Sequence, residues 1–168
     1  LRCQAILMDL QGNEFKLPSH GTSHFGPASW HGDKSVYHVL NQSGIESEIY
    51  GAIYVYDSRR KTSTKITGKS ALLSPSGMED LKPVLINEDT IAVVLIDGLW
   101  TYSLRQQQWT HKHQFPHELW GEHLQQISWS PDLTKVAWIN QNTGHDKLVV
   151  MNIKTGAMTT LLDTGEDM

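Results

Sequence analysis

The sequence predicts an all-β fold made of repeated four-stranded sheet units, and three observations support this prediction. Short runs rich in Val, Ile, Tyr, Trp and Thr alternate with turns rich in Gly, Asn, Asp and Pro, as is usual for strands and tight turns. Two similar stretches, 28–44 and 127–144, lie roughly a hundred residues apart. A second series of strand pairs recurs about every fifty residues. Such a repeat, with about four strands in each unit, is typical of a β-propeller.

The first series opens with Trp-x-x-Asp and continues into an apolar strand. Trp30 and Asp33 begin one copy, and Trp129 and Asp132 begin another. A degenerate copy, "VLINEDTIAVVL", lies midway, with Val and Asn in place of Trp and Asp. We expect each tryptophan to pack between sheets, contributing about 4 to 6 kcal/mol through burial. We expect each aspartate to accept backbone N–H bonds in its turn, so all four residues are predicted to be architectural.

The second series places one polar residue at the end of an apolar strand in each unit. These residues are 48, 46 and 49 positions apart: Asp9, Asp57, Ser103 and Asn152. In the third unit the Asp-Gly pair 97–98 predicts a two-residue hairpin loop, because glycine tolerates the positive φ of a primed turn. The corresponding loops, 41–51 and 140–147, are expected to be longer.

The chain is predicted to form a single domain, 1–168, that is a partial ring of about three and a half to four blades. The blades are placed at about 1–17 (outer strands only), 27–67, 82–115 and 125–163. Closed propellers have about 4 to 8 blades, and an open arc exposes apolar faces at its ends. Three arrangements are open. Further blades in a longer parent chain are favoured, two copies could close one ring by self-association, or four blades could close irregularly.

The stretch 127–167 resembles a known family. "SWSPDLTKVAWI" and "KLVVMNIKTGAMTTLLDTGED" are similar to the WD-like propeller repeat of TolB-type proteins, and 28–67 matches more weakly. The sequence departs from that pattern at Leu133, where the family usually has Gly, and at His31-Gly32, where it has Ser-Pro. The resemblance implies a propeller in a periplasmic or otherwise extracytoplasmic bacterial setting, with a cytoplasmic setting still open. Such propellers also occur as sensory portions of membrane-tethered winged-helix transcriptional regulators.

Composition excludes several classes of function. The formal net charge is -4 and 59–61 is the only basic run, so we expect no direct nucleic-acid binding by this segment. The longest apolar run, 91–96, is far shorter than the roughly 20 residues of a membrane helix, so we expect no membrane insertion. The single cysteine, Cys3, cannot form an internal disulfide.

The nine histidines raise the possibility of a metal site or a pH sensor. Solvated loop histidines are the favoured interpretation, because "HELWG" at 117–121 lacks the second His of a helical zinc motif. Two of these histidines, His111 and His113, are assigned to the loop that enters the last blade or its vicinity. No Gly-x-Ser-x-Gly elbow and no Gly-rich phosphate loop is present. We therefore predict no metal, no cofactor and no enzymatic activity.

Binding is predicted on loops that exceed what joining strands requires: 44–52, 68–82 and 113–126. The candidate contact residues in and near these loops are Tyr50, Met78, Phe115, His117, Trp120, His123 and His145. Capping of the ring by Phe115 and Trp120 is an equally weighted alternative. The sequence therefore predicts recognition of a protein partner or small ligand through one rim.

The favoured function is the sensing or interaction part of a larger bacterial protein such as a transcriptional regulator. The alternative is a propeller that gates a serine peptidase of the prolyl-oligopeptidase type, whose catalytic domain lies outside this segment. A scaffold in an envelope complex is a third possibility. Flanking sequence separates the first two, because one requires a winged helix and an apolar span and the other a hydrolase domain with a Ser elbow.

Overall fold

The structure, a computed structural model, describes residues 6–8, 12, 14–16, 22–26, 28–42, 49–66, 81–116, 123–142 and 145–165. Every regular element in these ranges is a β-strand, which confirms the all-β prediction. The strands form one two-stranded sheet and three larger antiparallel sheets. In each of the larger sheets, consecutive strands of the chain are neighbours, as predicted for propeller blades.

The first sheet is a short hairpin of β1 (Ile6–Met8) and β2 (Glu14–Lys16). The second sheet has the order β3-β5-β6-β7, with β4 also paired to β5. Because β3 and β4 pair with successive parts of β5, they form one interrupted inner strand. The bounds are β3 Thr22–Phe25, β4 Ser29–His31, β5 Lys34–Gln42, β6 Ile49–Asp57 and β7 Thr62–Lys65.

The third and fourth sheets are regular four-stranded meanders. The third sheet contains β8 Val84–Leu85, β9 Thr90–Leu95, β10 Gly98–Ser103 and β11 Gln108–Gln114. The fourth contains β12 His123–Trp129, β13 Lys135–Asn142, β14 His145–Asn152 and β15 Met158–Asp163. The inner strand of each lies at the start of its unit and the outer strand at the end.

The three larger sheets stack side by side through apolar faces. Successive side chains of a strand point to opposite faces, so the third sheet buries one face against each neighbour. Against the second sheet it packs Ile91 and Val93, and against the fourth it packs Ala92 and Val94. This explains why β9 is apolar at four consecutive positions instead of alternating.

Trp138 is the aromatic side chain that fills the space between the third and fourth sheets. It is fully buried, and its ring stacks on Phe115 with centroids 4.7 Å apart. Trp129 is partly buried in the same cluster, and its indole N–H donates a 2.9 Å hydrogen bond to the Lys82 carbonyl. Trp138 comes from a strand interior, which the repeat motif did not single out.

The expectation that Trp30 packs between blades is wrong. Trp30 is 51% exposed and makes an edge contact with Tyr56, at a centroid distance of 6.4 Å. It pairs with Ser35, whose other neighbour across the sheet is Tyr56, and therefore lies on the face that points away from the third sheet.

The predicted equivalence of the polar residues that end the third strand of each unit is confirmed for three of them. The side chains of Asp57, Ser103 and Asn152 each accept a hydrogen bond, 2.9 to 3.0 Å long, from the backbone N–H three residues later. Each anchors the turn into the outer strand. Asp9 lies outside the described residues. The residue four positions after each anchor has a positive φ: Lys61, Gln107 and Gly156.

The hairpin loops differ from the predicted ones in position and length. In the third sheet Leu95 pairs with Gly98, so the loop has two residues as predicted but consists of Ile96 and Asp97. Gly98 opens β10 with φ 151°, and a Cβ there would lie 2.1 Å from the His113 carbonyl oxygen. In the fourth sheet β13 and β14 pair as far as Asn142 and His145, so both strands extend into the predicted loop 140–147. The second-sheet loop is also shorter than 41–51, because its strands extend to 42 and from 49.

His38 is a buried polar residue in the second sheet. It is 1% exposed, and its Nδ1 has no hydrogen-bond partner among the described residues. Gly26 lies against the ring, where a Cβ would come within 1.7 Å of it. Burial lowers the pKa of His38 from 6.5 to about 4, so the ring is neutral in the folded protein at neutral pH.

We expect His38 to make stability depend on pH. Its folded-state pKa of about 4 lies below the ordinary 6.5, so the unfolded chain binds more protons between these values. The stability of the fold is therefore not reduced by His38 above pH 6.5. As the pH drops toward 4, the free energy of unfolding falls by about 3 kcal/mol because the unfolded chain takes up a proton that the buried ring does not. Urea unfolding across this range should show a steeper loss of stability in the wild type than in His38→Leu. The control His31→Asn should keep the wild-type slope, and an unchanged slope in His38→Leu would contradict the assignment.

We expect Trp138→Ala to lower the free energy of unfolding by about 3 to 5 kcal/mol, because it opens a cavity between two sheets. Trp30→Ala is the matched control and should cost about 1 kcal/mol, since half of that side chain is already in water. Equilibrium urea unfolding monitored by circular dichroism measures both. Equal losses of the free energy of unfolding in the two variants would contradict this prediction, because the two indoles would then contribute alike to sheet stacking.

Candidate functional site

The predicted binding rim lies largely beyond what the structure describes. Met78, His117 and Trp120 are outside the described residues, as are the side chains of Tyr50, His123 and His145. The backbones of His123 and His145 pair with adjacent residues of β13, so they lie at the same end of the fourth sheet. Their role in binding stays a prediction.

Three aromatic residues assigned to or near this rim have structural positions instead. Phe115, predicted to contact a partner or cap the rim, is 2% exposed and stacked on Trp138. His111 lies within β11, stacked on Trp100 with centroids 4.2 Å apart. The Nε2–H of His113 donates a 2.8 Å hydrogen bond to the Ile153 carbonyl. The strand β11 contains His111 and His113 and ends one residue before Phe115. The three side chains therefore lie between sheets and not in a free loop.

The two motif aspartates lie in different turns. Asp132 accepts hydrogen bonds from the Ser130 hydroxyl at 2.7 Å and the Thr134 backbone N–H at 3.1 Å. These bonds, that of Ser130 foremost, hold the pKa of Asp132 below its usual value. Asp33 instead sits in a two-residue turn between β4 and β5, and its carboxylate pairs with Arg59. Asp33 therefore lies at the end of the second sheet where β4 turns into β5, beside a groove.

This groove, which we call the inter-sheet groove, lies between the second and third sheets at the end where β4 turns into β5. It consists of two cavities, of about 350 and 230 Å³, that share Lys34, Asp57 and Arg60. The larger cavity is further lined by Val55, Thr62, Thr64, Lys65, Ile66, Tyr102, Leu104 and Gln107. The smaller is further lined by His31, Asp33, Arg59 and Glu88.

The floor of the larger cavity is apolar and its walls are polar. Val55 and Tyr102 are 7% and 3% exposed and belong to the core between the two sheets. Burial raises the pKa of Tyr102, so its hydroxyl stays protonated at neutral pH. Thr62 and Thr64, from the outer strand β7, add exposed hydroxyl groups at the edge. A ligand here could place apolar atoms on the floor and polar atoms against the walls.

The cationic side chains of the groove differ in how they are held. The Lys34 ammonium donates a 2.8 Å hydrogen bond to the Glu88 carbonyl. Arg60 is 3.9 Å from Asp57, but 82% of its side chain is exposed, so this pair contributes little. Lys65 lines the larger cavity without an acidic partner among the described residues. Four cations and three carboxylates line the two cavities, so the groove is slightly cationic although the whole chain is acidic.

The turn that presents the Glu88 carbonyl is itself fixed. The side-chain oxygen of Asn87 accepts two hydrogen bonds of 2.8 Å, from the backbone N–H groups of Asp89 and Thr90. Asp89 accepts bonds from the Ser103 hydroxyl and the Arg105 N–H, and the Ser103 bond is the main cause of its lowered pKa. Lys34 is therefore positioned by a rigid turn of the neighbouring sheet.

The polar groups that line the inter-sheet groove are the hydroxyls of Thr62 and Thr64 and the charged side chains described above. Neither threonine has a hydrogen bond to a histidine or carboxylate among the described contacts, which is what activation of a nucleophile requires. In the part of the chain that the structure describes, no three His, Cys, Asp or Glu side chains cluster as a metal site would require. The described ranges also contain no helix long and apolar enough to cross a membrane.

Sequence reasoning missed the inter-sheet groove, although a signal was present. The basic run 59–61 follows Asp57 in the turn between the last two strands of its unit. In a meander this turn and the turn between the first two strands emerge at the same end of the sheet, which brings Arg59 to Asp33. Taken alone, the run is too short to indicate a nucleic-acid-binding surface, and the sequence does not show that it meets Asp33.

No family model and no curated protein sequence matches the chain. Among solved structures, it is similar to oligogalacturonate lyase in complex with manganese (13% identity, TM-score 0.54, covering 96% of this chain and 47% of that one). It is also similar to the β-propeller domain of the Trilobed protease from Pyrococcus furiosus (8%, TM-score 0.51, 84% and 42%). TolB from Acinetobacter baumannii matches at 14% identity and TM-score 0.49, covering 94% and 48%.

These similarities establish the fold: the chain is a β-propeller module. The first two similarities carry this conclusion. At identities of 8 to 14% they show the fold alone. The chain spans about half the length, or less, of each protein it matches.

Proposed function

We propose that the chain is a recognition module without enzymatic activity of its own. The observation that carries this proposal is the inter-sheet groove, a shaped polar cavity on a rigid stack of sheets without an activated nucleophile. The module would serve as the extracytoplasmic sensing or interaction part of a larger bacterial protein, such as a transcriptional regulator. The TolB-type repeat of 127–167 supports that setting.

The groove fits a ligand that carries carboxylate groups. Lys65 and Lys34 offer ammonium groups at its two sides, and hydrogen bonds between ammonium and carboxylate are stronger than neutral ones. The threonine hydroxyls of β7 can donate to the same carboxylates, while the apolar floor accepts the aliphatic or sugar-ring part of the ligand. An acidic peptide and an acidic oligosaccharide both present this chemistry. The similar oligogalacturonate lyase acts, by its name, on a carboxylated sugar chain.

We expect at least one of two labelled probes, hexaglutamate peptide or galacturonate trimer, to bind in fluorescence anisotropy titrations at low salt. Lys65→Glu should raise the Kd by about tenfold, the loss expected for one charge-assisted hydrogen bond. Lys154→Glu is the matched control, because it makes the same charge change on an exposed turn of the fourth sheet, and it should change the Kd less than about twofold.

The outcomes separate the ligand sources. Binding of the peptide alone indicates protein recognition, and binding of the trimer alone indicates carbohydrate recognition. If neither probe binds, or if both variants weaken binding equally, the groove is not the recognition site.

A second candidate function is gating of a peptidase by this propeller. The similarity to the propeller domain of the Trilobed protease favours it, because that domain belongs to a peptidase. The flanking sequence of the gene tests it directly. A downstream hydrolase domain with a Gly-x-Ser-x-Gly elbow would support gating, and an upstream winged helix followed by an apolar span would support the regulator.

A further inference from the structure

The outer strand of the second sheet has a free backbone edge beside the inter-sheet groove. β7 pairs with β6 on one side, and no described strand pairs with it on the other. The N–H of Ile66 donates a 2.8 Å hydrogen bond to the Ile53 carbonyl, in the same register as the β6–β7 ladder. Because hydrogen-bonded pairs alternate in an antiparallel ladder, Thr64 also points its backbone groups at β6, whereas Ser63 and Lys65 point theirs outward. Such an edge is a template for pairing with another strand.

The outer edges of the other two large sheets are interrupted by bulges. The register between β10 and β11 shifts, which leaves Lys112 of β11 without a partner in the ladder. The register between β14 and β15 also shifts, which leaves Leu161 of β15 without one. Bulges twist an edge locally and are one means by which proteins prevent the addition of a further strand. Of these three outer strands, β7 is the one whose described pairing is regular over its whole length.

The groove provides an apolar floor next to this edge. Thr64 pairs with Val55, so its side chain lies on the face of the second sheet that packs against the third sheet. Ile66, two residues further on, is partly buried against the same core and lines the larger cavity together with Leu104 of the third sheet. Successive side chains of a strand point to opposite faces. A strand added to β7 would therefore direct every second side chain into the groove.

The backbone spacing and the charges at this edge indicate which ligand fits. Outward donors and acceptors recur every second residue, about 6.8 Å apart, which matches another extended polypeptide and not a sugar chain. Lys34 and Arg60 line the groove at the end where β7 begins, and Lys65 ends the strand. These cations stand out in a chain whose formal net charge is -4. The edge is therefore complementary to an acidic peptide.

We propose that the inter-sheet groove receives an extended acidic peptide, which pairs with β7 as an additional strand of the second sheet. This inference rests on the recognition function proposed above and chooses the peptide from its two ligand sources. The peptide backbone exchanges hydrogen bonds with the outward groups of Ser63 and Lys65. Its alternate side chains enter the groove, and its carboxylates approach Lys34 and Arg60. Backbone pairing selects the extended form, and the cations select acidic sequences.

Fluorescence anisotropy with two labelled peptides tests strand addition: hexaglutamate, and hexaglutamate that is N-methylated at every peptide bond. Both carry the same charge, but the methylated peptide has no backbone N–H to donate to β7. We expect its Kd to be at least tenfold higher. If both peptides bind equally, strand addition is wrong, while recognition of carboxylates by the groove stands. If only the galacturonate trimer binds, this inference fails and the recognition function stands. If neither hexaglutamate nor the trimer binds, both fail.

Ser63→Pro tests the edge from the side of the protein. Proline is tolerated where a backbone N–H points away from the sheet, so the β6–β7 ladder is retained while the outward donor is lost. We expect a Kd for hexaglutamate at least tenfold higher. Ser63→Ala keeps this N–H and loses only the hydroxyl that accepts a hydrogen bond from Tyr37, so it should stay within about twofold of the wild type.

Thr160→Pro is the matched control on the outer strand of the fourth sheet. The Asn152 N–H donates a hydrogen bond to the Ala157 carbonyl, so the alternation of the ladder points the backbone of Thr160 outward from β15. This variant should leave the Kd for hexaglutamate unchanged. Circular dichroism and urea unfolding confirm that each proline variant is folded. Equal weakening by Ser63→Pro and Thr160→Pro would overturn the proposal, because binding would then not depend on the edge of β7.

Amide hydrogen exchange, resolved by NMR, locates the bound peptide. In the free protein we expect the outward amides of Ser63 and Lys65 to exchange fast, and the amide of Thr64, bonded to β6, to exchange slowly. Saturating hexaglutamate should slow exchange at Ser63 and Lys65 at least tenfold. Unchanged exchange at both positions in a chain that binds hexaglutamate would contradict the proposal, since the peptide would then lie in the groove without pairing with β7.

Discussion

The structure depends on one constraint: an apolar sheet needs cover on both faces. In the third sheet, adjacent positions such as Ala92 and Val93 are buried against different neighbours, so neither face can be left open. The contact that meets this requirement most fully is the Trp138 ring stacked on Phe115, which closes the space between the third and fourth sheets. Because interiors are packed to nearly crystalline density, side chains of this size also fix the distance between the sheets and hence the shape of the stack.

Stacking through faces leaves the ends of the sheets for function. Turns that join the strands emerge at two opposite ends of the sheets, and the inter-sheet groove lies at one of these ends, beside β7. Its floor is the edge of the apolar core, and residues of β5 and β7, among them Lys34 and Lys65, form its walls. The same alternation makes the fourth sheet apolar on both faces, since Ala137 and Ile139 point away from the third sheet while Val136 and Trp138 pack against it.

The repeat period predicted the fold because its strongest signals are local. The anchors Asp57, Ser103 and Asn152 form hydrogen bonds within their own turns, so spacing alone identified them. Burial was harder to predict, because it depends on what lies opposite: Trp30 and Trp129 share a motif, yet Trp30 is half exposed, whereas Trp129 packs against the core between the third and fourth sheets. The inter-sheet groove was missed for the same reason. It is formed by residues from two repeats, and no single stretch of sequence contains the juxtaposition of Lys34, Lys65 and the turn at Glu88.

The claim that the sheets are held by mutual face-to-face cover can be tested most directly by native-state hydrogen exchange, resolved by NMR. If the account is correct, the amides of β9 and β10, whose sheet is covered on both faces, exchange slowest, with protection close to the global free energy of unfolding. The amides of β15, at the edge of the fourth sheet, exchange much faster. Amides of β9 and β10 that exchange as fast as those of β15 would contradict the account, because the third sheet would then gain nothing from its two neighbours.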